Sequence, residues 1–323
     1  MSGLDTNEIV EGVRNGDTRA LARAITLVEN NDPASYDIVR ELYPQTGHAH
    51  AVGITGPPGV GKSSLIAALV TRVRAMGKPV GVISVDPSSP FTQGALLGDR
   101  IRLTDHFLDP GVYIRSMGTR GHVGGLAEAT LQALLLLDAF GKEVVFLETV
   151  GTGQSDVGVL SIADTVVLAL QPGSGDSVQA LKAGIMEIPD VIAVNKADHP
   201  LARATASDVR QVLALGPADA PKPPIILTDA LNDSGIDELW AAIQAHAAEP
   251  GLEERRRRNL AAEVFAVASA RARRHLEAVV AADPELARLL DQVQERQLDP
   301  LTAVRTILDE VFHLGNQDST DTH

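Results

Sequence analysis

Ala51-Val52-Gly53-Ile54-Thr55-Gly56-Pro57-Pro58-Gly59-Val60-Gly61-Lys62-Ser63-Ser64 decides how the rest of the chain is read. A short β-prone run leads into G-x-x-x-x-G-K-[ST] from Gly56 to Ser63, and a helix-length segment starts at Lys62. That is the strand, loop and helix context in which such a loop cradles phosphates. Its glycines let backbone N–H groups turn inward around an anion, and the helix start adds the positive end of its dipole. Lys62 would neutralise β- and γ-phosphates, Ser63 would offer its hydroxyl to Mg2+, and Ser64 is a further candidate contact. A ligand-free turn has no use for the Lys-Ser pair. The whole stretch Gly56, Pro57, Pro58, Gly59, Val60, Gly61, Lys62, Ser63 and Ser64 is therefore the expected phosphate site.

Outward from this loop, β-rich runs alternate with helix-length segments. The strand candidates are Ala51–Thr55, Val80–Val85, Tyr113–Met117, Val144–Leu147, Thr165–Leu170, Val191–Val194 and Ile225–Leu227. The alternation predicts an α/β fold, a mostly parallel, doubly wound sheet with helices on both faces. Before it, Leu21, Ile25 and Leu27 and then Ile38, Val39 and Leu42 mark short helices. Beyond Glu249-Pro250-Gly251 the chain reads helical, with breaks near Asp283-Pro284 and Asp299-Pro300. The expected organisation is a helical N-terminal extension over 1–48, a P-loop domain over 49–249, a helical C-terminal region over 250–314 and a frayed polar tail over 315–323.

A second motif addresses the base. Asn195-Lys196-Ala197-Asp198 follows the apolar run Val191–Val194, so it stands at the carboxyl end of a strand, where open α/β sheets bind ligands. Asp198 can accept two hydrogen bonds from the ring N–H and exocyclic amine of guanine, a pattern adenine does not offer, while Lys196 can lie along the base. Alone such a tetrapeptide is a common surface turn, but downstream of a P-loop it points to guanine. Thr228-Asp229-Ala230 after the last strand is where a backbone N–H to guanine O6 is expected. For a magnesium site, Val144-Val145-Phe146-Leu147 delivers Glu148 at a strand end, followed by Thr149-Val150-Gly151. This is E-x-x-G, not the commoner D-x-x-G. Asp86 and Asp99 are further acidic candidates, each also readable as a loop cap. Thr152 follows Gly151, and Gln154 comes only later. With no residue obviously placed to orient water, slow intrinsic hydrolysis is expected.

Composition narrows the classes. The chain has 323 residues, 44% of them hydrophobic, and a formal net charge of −14, which argues against a nucleic-acid surface. Cysteine is absent, so disulfides, iron–sulfur clusters and thiolate metal sites are excluded. Met1-Ser2-Gly3-Leu4-Asp5 has neither the charged nor the apolar region of a signal peptide, and the apolar stretch from Leu131 to Phe140 is interrupted by Asp138 and too short for a bilayer. The expectation is a soluble cytoplasmic protein without membrane or nucleic-acid partners.

Together these residues resemble the MeaB-type (ArgK-like) G proteins, chaperones of adenosylcobalamin-dependent acyl-CoA mutases in the signal-recognition-related class of P-loop GTPases. The resemblance is carried by Val85-Asp86-Pro87-Ser88-Ser89-Pro90-Phe91, Leu97-Gly98-Asp99-Arg100, Arg120-Gly121-His122-Val123-Gly124-Gly125, Glu148-Thr149-Val150-Gly151-Thr152-Gly153-Gln154-Ser155 and Lys182-Ala183-Gly184-Ile185-Met186-Glu187-Ile188. It implies hydrolysis of GTP to GDP, stimulated by a partner, and Mg2+ held by Ser63, Asp86, Asp99 and Glu148. It also implies a homodimer made through the C-terminal helices, and a mutase whose cofactor loading is gated. Lys62, Asp86 and Glu148 would carry catalysis, and Lys182 or Gln179, in a segment like the family's third switch, would swing toward the phosphates. Lys182 is equally readable as a surface helix lysine. Asp229 stands where relatives have serine, which puts a side-chain role there in doubt but leaves the Ala230 backbone contact. Gln93 and Asp156 also depart from the pattern. D-x-H-x-x-G is missing, since Arg120 precedes His122, so cobalamin would belong to the partner.

Two features stay open. Arg255 to Arg258 reads as a solvated face or a docking patch. Leu260, Val264 and Val267 with Leu286, Leu289 and Leu290 read as a dimer interface or as intramolecular packing. The rival functions are a P-loop kinase acting on a transport protein or small molecule, which has little need of N-K-x-D, and a nickel-insertion GTPase, which needs metal ligands that zero cysteines and nine scattered histidines do not supply. Membrane targeting in the signal-recognition manner would call for a methionine-rich domain, and there are four methionines. Asp198→Asn is expected to move base preference toward xanthosine nucleotides in competition binding; unchanged GTP affinity would remove the guanine assignment.

Overall fold

The computed structural model describes residues 6–86, 103–118, 123–149, 160–173, 189–215 and 222–312, without the side chains of residues 86, 123–125 and 263. The candidate residues Asp99, Gln154, Gln179 and Lys182 lie outside the described residues. Three helices come first: α1 (Thr6–Arg14), α2 (Thr18–Glu29) and α3 (Ala34–Leu42). Then β1 (His50–Thr55), α4 (Lys62–Ala75), β2 (Val80–Asp86), β3 (Val112–Gly118), α5 (Val123–Ala139), β4 (Val144–Thr149), β5 (Thr165–Leu170) and β6 (Val191–Val194) follow. After them come α6 (Ala202–Ala214), β7 (Ile225–Leu227), α7 (Ile236–Ala247), α8 (Leu252–Ala282), α9 (Pro284–Gln294) and α10 (Pro300–Phe312).

The seven strands form one sheet in the order β3-β2-β4-β1-β5-β6-β7, and every pairing is parallel. Strand alternation separates two cores. Val145 and Leu147 face α1, α2, α3 and α5, whereas Val144 and Phe146 face α4 and α7. A smaller cluster joins Leu168, Leu170 and Ile192 to Val209 of α6. Both faces being covered explains why these strands read as continuous apolar runs. The N-terminal helices share the core of the sheet, with Tyr36 Oη donating to Glu128 Oε1 at 2.5 Å. Asp138, the acid that interrupts the apolar run of α5, is buried and accepts the Gly47, His48 and Ala49 N–H groups at 2.6, 3.3 and 3.0 Å.

Two compact units divide between Glu263 and Val264, within α8. The second has its own small core of Val280, Leu286 and Ile307, joined by Leu276, Val279, Leu289 and Val311, while Val264, Phe265, Leu290, Leu301 and Val304 are exposed. No helix among the described residues is long and apolar enough to cross a membrane.

At the N-terminal edge of the sheet, in the first unit, the basic run acquires a structural job that a solvated face lacks. Arg255 Nη1 donates to Asp190 Oδ1 at 2.8 Å, and Arg256 grips Asp164 at two points, 2.6 and 2.8 Å. Arg257 and Arg258 remain exposed. Asp164 and Asp190 also accept the Ala51 and Val166 N–H groups, each at 2.8 Å, so the start of α8 is tied to the feet of β1 and β5.

Beside this joint, His50 Nε2 lies 2.9 Å from Thr165 Oγ1, which lies 2.8 Å from His246 Nδ1. Burial pushes the His50 imidazole down from 6.5 to about 4; Asp164 opposes this and Arg256 and His246 reinforce it. The unfolded chain therefore takes up a proton that the folded chain refuses. The stability linked to His50 is present above pH 6.5 and is lost as pH falls from 6.5 toward 4, by up to about 3 kcal/mol. Urea unfolding of the wild type between pH 7 and 4.5 should show this decline, and His50→Gln should flatten it.

Candidate functional site

The carboxyl ends of the parallel strands all meet one rim, and β1, flanked by β4 and β5, opens onto it at the topological switch point. The loop between β1 and α4 is shaped by its glycines. Gly56 has φ 141°, and a Cβ there would stand 2.1 Å from the Ala169 carbonyl oxygen of β5. Gly61 has φ 92°, and a Cβ would stand 2.6 Å from Asn195 Nδ2. No other residue fits either position. Val60 is fully buried and roots the loop in the core below it, Pro58 and Gly59 are exposed, and Pro57 and Ser64 are half-buried. Lys62, 7% exposed, donates from Nζ to the Gly56 and Pro57 carbonyls at 2.7 and 3.2 Å. A buried ammonium bound to the inner wall of a glycine loop at a helix start is poised for a polyanion.

The acid predicted to serve magnesium meets this loop. Ser63 Oγ donates to Glu148 Oε1 at 2.6 Å, and Ser84 Oγ of β2 donates to Glu148 Oε2 at 3.0 Å. Register puts Glu148 between Ile54 of β1 and Ser84 of β2. The hydroxyl and carboxylate are hard oxygen donors in direct contact, a set that fits Mg2+, which takes one or two protein oxygens and completes its shell with phosphate and water. Among the described residues no cluster of three His, Cys, Asp or Glu competes for a metal. Asp86 ends β2 at the same rim, beside Gly118 of β3, with its side chain outside the described part. Ser84 was missed by sequence reasoning; its signal was a hydroxyl between Ile83 and Val85 in a strand that is otherwise apolar up to its terminal Asp86.

On the base side, Asn195 is 3% exposed and joins three segments. Its Nδ2 donates to the Val60 carbonyl at 2.9 Å, while its Oδ1 accepts the Ala230 N–H at 3.2 Å and the Thr228 hydroxyl at 3.3 Å. Lys196, at φ 59°, reaches from Nζ to the Gly59 carbonyl at 2.9 Å and Gln171 Oε1 at 2.5 Å. Its stem therefore runs alongside the P-loop. Asp198 is exposed at the mouth. Gln171, the residue after β5, is a second participant with no motif to announce it. The structure thus brings Lys62, Ser63, Glu148, Asn195, Lys196, Thr228 and Ala230 to one rim.

With this geometry in view, comparison with known proteins is informative. A family model described as methylmalonyl-CoA mutase-associated GTPase MeaB matches residues 21–283. A putative GTPase of Pyrococcus abyssi is 45% identical over 317 residues, 96% of this chain and 98% of that protein. A Caenorhabditis elegans protein named methylmalonic aciduria type A homolog, mitochondrial, is 34% identical over 278 residues, 79% of this chain and 70% of that protein. Among solved structures, the crystal structure of an LAO/AO transport system kinase superposes with a TM-score of 0.72 at 26% identity, covering 96% of this chain and 100% of that one.

Removing the ammonium should be felt at the phosphates. Lys62→Ala is expected to weaken guanine nucleotide binding about 10- to 100-fold, the worth of a charge-assisted hydrogen bond in a buried site. Titration calorimetry checks this, with unchanged thermal unfolding of the ligand-free protein as the control.

Proposed function

This chain belongs to the MeaB family of P-loop GTPases, and we propose that it hydrolyses GTP with Mg2+ as the chaperone of an adenosylcobalamin-dependent acyl-CoA mutase, gating that enzyme's cofactor loading and protecting it. The observation that carries the nucleotide half is the contact of Ser63 with Glu148 at 2.6 Å, made by the residue next to the buried Lys62. The mutase half is supported by the family's description and by the name of the nematode relative.

Phosphoryl transfer to water needs positioning and charge neutralisation more than covalent chemistry. Lys62 leaves the loop carbonyls for the β- and γ-phosphates, and the N–H groups of Gly59, Val60 and Gly61 surround them. Ser63 and Glu148, with Asp86 and Asp99, would hold Mg2+, which when bound would supply charge neutralisation at the phosphate oxygens. Asp198 pairs with the guanine ring N–H and amine, Lys196 lies along the base, and Thr228, Asp229 and Ala230 close over it. Hydrolysis is slow alone because no glutamine follows Gly151. The mutase supplies what is missing by bringing Lys182 toward the phosphates. A homodimer would cover the apolar side chains that the C-terminal helices expose, Val264, Phe265, Leu301 and Val304 among them.

A second reading has one observation behind it, the kinase named in the similar crystal structure. It predicts use of ATP and transfer to an acceptor, whereas Asn195 to Asp198 favour guanine. GTP turnover by the purified chain, alone and with each candidate mutase in its apo and cofactor-loaded forms, separates the two, with ATP as the control. Selective acceleration of GTP hydrolysis by one mutase, reduced in Lys182→Ala, is the expected outcome. Equal stimulation of the variant removes Lys182 from the scheme, and no stimulation by any mutase removes the chaperone reading.

A further inference from the structure

The loop from Thr228 to Gly235, between β7 and α7, is closed at its neck and held from inside by a carboxylate. At the neck the Asp229 N–H donates to the Ser234 carbonyl at 2.8 Å and the Ser234 N–H donates back to the Asp229 carbonyl at 3.1 Å. Gly235 completes the closure at φ 73°, where a Cβ would stand 2.0 Å from the Leu227 carbonyl oxygen. Above the neck, Asp229 Oδ1 accepts the Leu231 N–H at 3.1 Å and the Asn232 N–H at 3.2 Å, while Oδ2 accepts from Asn232 Nδ2 at 2.6 Å. Asp229 itself is 6% exposed. The tip contributes no burial of its own, since Leu231 is 87% exposed. Apolar packing in the loop is limited to Ala230, half-buried against the core, and beyond it the carboxylate hydrogen bonds hold the turn.

Ala230 sits between the neck and this internal turn, so the direction of its N–H is fixed from both sides. That N–H rests on Asn195 Oδ1 at 3.2 Å, a long bond for which an arriving carbonyl can compete. We propose that Asp229 is a positioning residue for base discrimination: its carboxylate holds the loop so that the Ala230 N–H is offered to an oxygen, not an amine, at the six-position of a purine. The proposal rests on the guanine reading above and deepens it by assigning the side chain of Asp229, where a serine could not reach all three donors at once. Its side chain acts through its hydrogen bonds to Leu231 and Asn232 within the loop, not by reading the base.

Three nucleoside diphosphates divide the base contacts. Guanine and hypoxanthine carry the six-oxygen and the ring N–H, adenine a six-amine and no ring N–H, whereas guanine alone carries the two-amine that Asp198 would read. Displacement of a fluorescent GDP analogue from the full chain by GDP, IDP and ADP therefore separates the two-amine from the rest of the edge, and the change from wild type to an Asp229 variant isolates the loop's share. In Asp229→Ala the affinities for GDP and IDP should fall together by about tenfold while that for ADP holds, so that the GDP-to-ADP ratio drops and the GDP-to-IDP ratio does not. Asp229→Asn keeps an oxygen for the two backbone N–H groups and should restore most of the ratio. An unchanged GDP-to-ADP ratio in Asp229→Ala, or an equal loss for all three nucleotides, overturns the proposal and leaves the carboxylate as a structural brace. A wild-type chain that binds ADP as tightly as GDP overturns the guanine reading and this proposal together.

Discussion

The buried amide of Asn195 is the point on which the rim of the sheet depends. It donates to the P-loop at Val60 and accepts from Thr228 and Ala230 of the base loop, so two segments far apart in sequence are fixed relative to each other by one side chain. Such a group is costly to bury unless each polar atom finds a partner, and here both ends do. The arrangement leaves no room for a side chain at Gly61, whose Cβ would collide with the same amide. The left-handed backbone of the P-loop and the choice of asparagine after β6 are thus one constraint seen from two sides.

Parallel strands give the sheet two unlike ends, and the chain uses them differently. The carboxyl end collects the groups suited to phosphate, metal and base. The amino end collects Asp164, Asp190, Thr165, His50 and His246, of which the two aspartates accept backbone N–H groups of β1 and β5 and receive Arg255 and Arg256 from α8. The guanidiniums are paired in partly buried positions, Arg256 matching the Asp164 carboxylate at two points and Arg255 bridging Asp190 and the Asp164 carbonyl, where solvent screens them less than on an open face. The helix that leaves the first unit is consequently fastened at its root by charge.

How legible this was in the sequence varied with the range of the cause. The inner strands could be read because each is a continuous apolar run buried on both faces, the half-buried edge strands β3 and β7 because they are β-prone, and the phosphate and base motifs because their chemistry is local in sequence. What escaped was made by contacts across the fold. Ser84 is ordinary until β2 pairs with β4 and sets it against Glu148. Arg255 and Arg256 looked like part of a solvated run because Asp164 and Asp190 are distant in sequence. Asp229 looked like a departure from a serine pattern, and its hydrogen bonds to Leu231 and Asn232 appear only once the loop is closed. Asp138 read as an interruption of an apolar stretch, whereas its burial beneath three backbone N–H groups makes it the cap of the segment that enters β1.

The glutamate in E-x-x-G illustrates how the fold compensates for a local choice. A glutamate has one more rotatable bond than an aspartate and loses more side-chain freedom when fixed, up to about 2 kcal/mol. At position 148 that freedom is removed before any ligand arrives, because Ser63 engages one carboxylate oxygen and Ser84 the other, and the residue is 6% exposed. Both serines come from elements paired with or packed on β4, so the acid is aimed by the sheet and by α4 and not by its own rotamer preference. A hydroxyl keeps its O–H donor while a lone pair is offered elsewhere, so this aim would persist if Ser63 also met a cation.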